Sequence, residues 1–265
     1  MTTLSVAAVQ TDPVFGEVVR NTDAALALVP QGCDLAVLPE LFATGYQFGS
    51  ADEARGLAEA VDDPRAPSLA RLRAFAGDTG TAVAAGLCER VGDRVFNSAV
   101  LVTPDGHLGL YRKVHLFWDE KDIFSPGDLG FPVFAACGLQ VGLMICFDWA
   151  FPEAARSLVL GGARLILHPS NLVLPWCQEA MRTRCLENRV PAVTANRVGT
   201  ECRTGAALAF SGMSQVVSAR GEVLQRLAAE GTGAATAMVT VTDEDRLLTP
   251  RNDVLADRRP DQYRL

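Results

Sequence analysis

The sequence lacks the features that would assign it to a membrane, a nucleic acid or a metal. It contains no run of about 18 consecutive apolar residues, so no transmembrane helix is expected. Basic residues are outnumbered, 24 Lys and Arg against 31 Asp and Glu, for a formal charge of −7. A phosphate-binding surface needs clustered Lys and Arg. The densest cluster here, Arg258-Arg259 with Arg264, reads as a solvated C-terminal tail, so no nucleic-acid partner is expected. Histidine is scarce, with only His107, His115 and His168, and neither His nor Cys recurs at zinc-ligand spacing. Glycine-rich phosphate or dinucleotide loops are also missing, so neither metal nor cofactor is expected. No basic, then apolar, then cleavable leader opens the chain, so no signal peptide is expected, and the cysteine usage reads as that of a cytoplasmic protein. The seven cysteines have no disulfide-framework spacing. Six of them (Cys33, Cys88, Cys137, Cys177, Cys185 and Cys202) sit mostly among apolar or small neighbours and read as buried, reduced thiols.

What is present is a 265-residue chain, 49% hydrophobic, enough for one α/β domain over residues 1–265. Leu4–Gln10 reads as a buried strand. Val18–Leu28 reads as an amphipathic helix with Asn21 and Asp23 on its wet side, and Leu35–Leu38 as a second strand ended by Pro39. Helical stretches at Ala51–Ala60 and Ser68–Asp78 precede a strand at Thr81–Leu87 and a meander of strands running to Arg112. The second half repeats the plan: a strand Gly142–Cys146, a helix Pro152–Leu160, a strand Leu165–Pro169. Gln31–Pro39 and Gly161–Pro169 match as a helix end, a Gly, a small and a polar residue, a short apolar strand and a Pro.

Three reactive side chains fall at strand ends, where α/β sheets place their sites. Glu40 follows Pro39, Lys113 follows Tyr111-Arg112, and Cys146 ends an apolar run before the helix start Pro152-Glu153. A cysteine at a strand-to-helix turn is either a small core residue or a nucleophile, with the Phe147 N–H placed to bind an oxyanion. A thiol nucleophile needs a base. His168 is one candidate. Glu40 is the better one, since the apolar Leu41-Phe42 beside it implies burial, which raises a carboxyl pKa; its other reading is a structural charge. Lys113 is either a strand-end cation or an inward group balancing Glu40 and Glu120 and favouring the thiolate.

Leu38–Tyr46, Tyr111–Leu116 and Gly142–Asp148 running on to Glu153 resemble the glutamate, lysine and cysteine motifs of the nitrilase superfamily of carbon–nitrogen hydrolases. The resemblance continues through Glu120-Lys121, Phe124–Asp128, His168–Leu172 and Arg184–Arg189, over nearly the whole chain. It implies a four-layer α-β-β-α sandwich and a homodimer formed through helices of the second half. It also implies catalytic Glu40, Lys113 and Cys146, with Glu120 a second acid orienting Lys113 or the substrate. Substrate contacts are expected from Tyr46, Phe147, Trp149 and Asn171. Phe117, Trp118 and Trp176 are further aromatics that either line the pocket or simply pack. True nitrilases of the family usually have Trp-Glu after the nucleophile. Phe147-Asp148 departs from that and looks more like the amidase and carbamoyl-amide branches, and Cys146–Arg156 resembles N-carbamoylputrescine-type amidases. The region Tyr111–Phe131 and the overall compactness also resemble a short archaeal group credited with aliphatic nitrile hydrolysis. The expectation is an amidase that cleaves a small aliphatic amide, or an N-carbamoyl compound, through a cysteine thioester and releases ammonia. The alternatives are a nitrilase, a thiol-dependent acyltransferase or a catalytically silent binding protein.

Overall fold

The computed structural model describes residues 1–263. The first half supplies strands β1 (Thr2–Gln10), β2 (Leu35–Val37), β3 (Ala82–Val91), β4 (Arg94–Val102) and β5 (Leu108–Arg112). The second supplies β6 (Val133–Ala136), β7 (Leu139–Leu143), β8 (Leu165–Pro169) and β9 (Ala192–Ala195). A small hairpin, β10 (Thr200–Glu201) with β11 (Leu208–Ala209), then leads to β12 (Gln215–Val217), β13 (Val223–Arg226) and β14 (Gly233–Val241). Two six-stranded sheets result, ordered β14-β1-β2-β3-β4-β5 and β13-β12-β9-β8-β7-β6.

Alternation along the strands builds the layers, because successive side chains point to opposite faces. Val6 and Ala8 of β1, with Ala82 and Ala84 of β3, face the core shared with the second sheet. Val9, Val83 and Ala85 point the other way, onto α1 (Val18–Ala27) and α3 (Pro67–Thr79), whose Ala25, Leu69, Leu72 and Ala76 cover them. On the far side α5 (Pro152–Leu160) and α6 (Cys177–Asn188) bury Leu158 and Met181 against β7–β9. The order of layers is helix, sheet, sheet, helix. This is the expected α/β four-layer α-β-β-α sandwich.

The sequence repeat has a structural counterpart. β2 lies between β1 and β3, parallel to both, and β8 lies between β7 and β9, parallel to both. Each is entered through a glycine with positive φ, Gly32 (72°) and Gly162 (101°), a conformation that L side chains disfavour.

Several expectations need correction. Asn21 is buried, not wet: its amide donates to the carbonyls of Val14 and Ala43 and accepts from the Val14 N–H, tying the loop after Glu40 to α1. The helix from Ala51 stops at Leu57, and Ala58 turns extended. Cys137 is only half-buried and Cys202 is exposed, although all seven cysteines are free thiols. Of the basic tail, Arg264 lies outside the described residues. Among the described residues, no helix is long and apolar enough to cross a membrane.

Candidate active site

Glu40 stands just beyond β2. Leu38 still donates to the Ala84 carbonyl, and Gly86 donates to the Pro39 carbonyl, so the segment lies flat against β3. A Cβ at Gly86 would overlap the Cα of Glu40, which explains a glycine inside a strand. The next residue, Leu41, has φ +47° and turns the chain away. The Glu40 carboxylate is fully buried. Its Oε1 accepts from Lys113 Nζ at 2.6 Å and from Asn97 Nδ2 at 2.7 Å, while Oε2 has no partner. Burial pushes its pKa up to about 7, against the opposing pull of the Lys113 ammonium.

Lys113 continues β5 by one residue, its N–H donating to the Asn97 carbonyl, and Gly127 packs directly over its backbone. Its ammonium bridges Glu40 and Glu120, at 2.8 Å from the latter, with no solvent exposure of the side chain. Desolvation alone would lower its pKa. The carboxylates of Glu120 and Glu40 outweigh it and hold the ammonium well above the usual lysine value. Glu120 opens the single helical turn α4 (Glu120–Ile123) and also accepts from the Tyr46 hydroxyl at 2.7 Å and the Phe117 N–H at 3.1 Å.

Cys146 does not end a strand. Ladder pairing of β7 stops at Leu143, because the Ile145 N–H turns instead to Asp148 Oδ2 at 2.8 Å. Cys146 then begins a 3-10 turn, Cys146–Ala150, with φ +40°, a conformation rare for a non-glycine residue and found at functional turns. The turn is clamped from below. Buried Asp148 also accepts from the Tyr111 hydroxyl at 2.7 Å and contacts His115 Nδ1 at 2.7 Å, so it joins the Cys146 turn to the segment carrying Lys113. The thiol lies 3.7 Å from the Asn171 carbonyl. Burial, reinforced by the charge of Glu40 and opposed by that of Lys113, raises its pKa well above the usual thiol value.

His168 is not the base. Its Nε2 lies 2.9 Å from the Cys146 carbonyl, an acceptor, so that nitrogen carries the proton, and Nδ1 faces Thr194 Oγ1 at 3.2 Å. Burial holds its pKa down to about 4, which keeps the ring neutral as a strut under Cys146. His107 is exposed in its turn. Glu40 has the buried carboxylate whose charge acts most strongly on the Cys146 thiol.

Phe117, Phe147, Trp149, Leu172, Val173 and Leu174 wall a cleft over Cys146 together with Asn171, about 230 Å³ with its open mouth included. Of the expected substrate contacts, Phe147, Trp149 and Asn171 lie here. Tyr46 instead lines an adjoining cleft behind Glu120, with Trp118 and Thr204. Trp176 is exposed at the start of α6 and belongs to neither. A larger cavity, about 770 Å³ by the same measure, lies under the 242–255 segment. Its arginines are already engaged, Arg164 with Asp243 and Arg189 with the Asp245 carbonyl, and it holds none of the acid–base groups. Among the described residues, no group of three His, Cys, Asp or Glu side chains is placed to hold a metal ion.

The sequence reading missed Asn97, the second donor to Glu40. Its signal was an amide inside the apolar strand Val95–Val102. Asp148 was noticed only as part of a motif, and its role as a tie between the two halves needed the geometry.

The carbon–nitrogen hydrolase family profile matches residues 5–246. A nitrilase of Pyrococcus abyssi is 44% identical over 266 residues, covering 98% of this chain and 99% of the relative. The crystal structure of a carbon–nitrogen hydrolase from Helicobacter pylori G27 superposes with TM-score 0.87 at 29% identity, over 98% of this chain and 97% of that one. A glutamate-to-glutamine mutant of an amidase from Nesterenkonia sp. AN1, with the acetamide moiety of fluoroacetamide added covalently at its active-site cysteine, superposes with TM-score 0.79 at 28% identity. It covers 97% of this chain and 94% of that one.

Proposed function

The chain belongs to the carbon–nitrogen hydrolase family, and from that premise we propose that it hydrolyses small neutral aliphatic amides through a thioester on Cys146. The observation that carries this reading is the unpartnered, buried Glu40 Oε2 in a site whose other carboxylate oxygen is held by Lys113 and Asn97. One oxygen is anchored and the other is free to move a proton.

In the proposed sequence Glu40 Oε2 takes the Cys146 proton as sulfur attacks the amide carbon. The Lys113 ammonium and the Phe147 N–H stabilise the negative oxygen that develops. Glu40 returns the proton to nitrogen, the C–N bond breaks and ammonia leaves. Water, deprotonated by Glu40, then attacks the thioester, and the carboxylic acid departs as the thiol re-forms. The lining of the cleft is aromatic and aliphatic apart from Cys146 and Asn171. A charged acyl chain would be desolvated there without a partner, so the acyl group is neutral.

A second reading, hydrolysis of aliphatic nitriles by the same thiol, is favoured by the name of the Pyrococcus relative. The whole chain acts as one cytoplasmic hydrolase unit paired with a second copy. Exposed Leu160 on α5, with Trp176 and Leu186 at α6, supplies apolar surface for the pairing. The test is ammonia release from propionamide and isobutyramide in buffer with no added amine acceptor. Equimolar ammonia and acid support the reading. Absence of turnover on amides, with nitriles cleaved, transfers the function to the second reading.

A further inference from the structure

The loop that follows Glu40 is fastened to the second half of the chain by a buried ion pair. One carboxylate oxygen of Glu201, in β10, accepts the Tyr46 N–H at 3.1 Å and the Gln47 N–H at 2.7 Å, and the other pairs with buried Arg197. Arg197 is itself fixed. It donates to the Val198 carbonyl at 3.2 Å and lies over the Phe210 ring at 4.1 Å, and Phe210 meets the Tyr46 ring edge-on at 5.9 Å. The close approach needs a glycine. Gly45 has φ +84°, and a Cβ there would stand 2.9 Å from the Phe15 ring and 3.1 Å from Glu201. A buried ion pair is a weak source of stability, often replaceable by apolar side chains at no cost, so this one calls for another use.

The use lies in what the loop carries. The Tyr46 hydroxyl donates to Glu120 Oε1 at 2.7 Å, the Phe117 N–H holds the other Glu120 oxygen at 3.1 Å, and the carboxylate so fixed meets Lys113 Nζ at 2.8 Å. We infer that Glu201, held by Arg197, is a positioning residue for Lys113. It anchors the backbone of Tyr46, the Tyr46 hydroxyl orients Glu120, and Glu120 sets where the ammonium stands. Glu201 lines neither the cleft over Cys146 nor the one behind Glu120, so it acts only through this chain of contacts. A shift of about 1 Å in a catalytic group, caused far from the chemistry, can cost about 10²-fold in rate. The inference rests on the hydrolase reading, in which the ammonium must meet the developing oxyanion.

The test is a double-mutant cycle on kcat for isobutyramide, with Tyr46→Phe, Glu201→Gln and the two together. Tyr46→Phe removes the hydroxyl but keeps the backbone N–H that Glu201 accepts. It should lower kcat by about 10- to 100-fold, the usual cost of a hydrogen bond to a charged acceptor. Glu201→Gln should lower kcat by about tenfold or more where the hydroxyl is present, and by less than about twofold where it is absent. Should Glu201→Gln fail to fold, Glu201→Asp takes its place, keeping the charge beside Arg197 and shortening its reach to the two N–H groups. Equal losses in the two backgrounds, or no loss in a folded variant, overturn the positioning role and leave the amidase reading standing. A parent that cleaves isobutyronitrile and not the amide overturns the amidase reading alone. The cycle then runs on the nitrile with the same expectation, because the ammonium serves both reactions. A parent that cleaves neither overturns the hydrolase reading and this inference with it.

Discussion

The ends of β2 and β8 are the same piece of architecture put to different uses. Both strands are central and parallel, both are entered through a positive-φ glycine, and each leads to a proline, Pro169 as the last residue of β8 and Pro39 two residues beyond β2. After Pro39 comes a carboxylate, Glu40, that touches Lys113. After Pro169 come Ser170 and Asn171, which have no side-chain charge. The β8 end holds the machinery in place: His168 donates to the Cys146 carbonyl and Asn171 to the Glu40 carbonyl. In the proposed mechanism one half supplies the acid–base pair, and the other supplies the nucleophile and the struts. The duplicated frame thus fixes where strand ends converge, while the residue just past the proline decides what chemistry appears there.

That comparison can be broken most sharply at Glu40. Glu40→Gln keeps the size of the side chain but removes the base, and kcat should fall by about 10²–10⁴. The equivalent position across the repeat gives the contrast. Ser170 Oγ lies 3.2 Å from a histidine nitrogen already donating to Cys146, so Ser170→Ala should lower kcat by less than about tenfold. Comparable losses at the two positions would remove the division of labour.

Lys113 comes next. Lys113→Met leaves Glu40 and Glu120 facing one another in a buried space, and stability should fall by about 3–5 kcal/mol in a denaturant titration. In variant protein that remains folded, single-turnover acylation of Cys146 should slow by about 10²–10³ if the ammonium also stabilises the oxyanion. Acylation at the parent rate would make Lys113 a counter-ion only.

The smallest effect is a shift rather than a loss. Glu40 must be ionised to act, and its pKa is pushed up to about 7, so kcat/KM should rise with pH through that value. The hydrogen bond from Asn97 favours the ionised form. Asn97→Leu removes it, and the rising limb of the pH profile should move to higher pH. An unmoved limb would mean that another group sets it.

Glu40, Lys113 and Cys146 stood out in the sequence because each follows a recognisable apolar strand; the repeated helix–glycine–strand–proline frame implied two related layers, and the four-layer sandwich came from the resemblance carried by the motifs. Periodicity could not tell which polar face of α1 would be covered, so Asn21 was misplaced until the loop carrying Ala43 was seen lying over it. The apolar run Gly142–Ile145 looks like one strand. A side chain three residues ahead, Asp148, takes the Ile145 N–H and ends the ladder early. Asn97 escaped notice because an amide within a strand declares neither face nor partner until the strands are in register. The exclusion of His168 as base depended on which nitrogen carries the proton, a matter settled by its neighbours in space.

The most direct test of the account is the mass of the enzyme during turnover. Acid-quenched protein sampled at saturating isobutyramide should carry an added acyl group on the peptide containing Cys146, and Cys146→Ala should show neither the adduct nor turnover. Ammonia released by the Cys146→Ala variant at the parent rate, or an acyl group found on any of the other six cysteines, would contradict it.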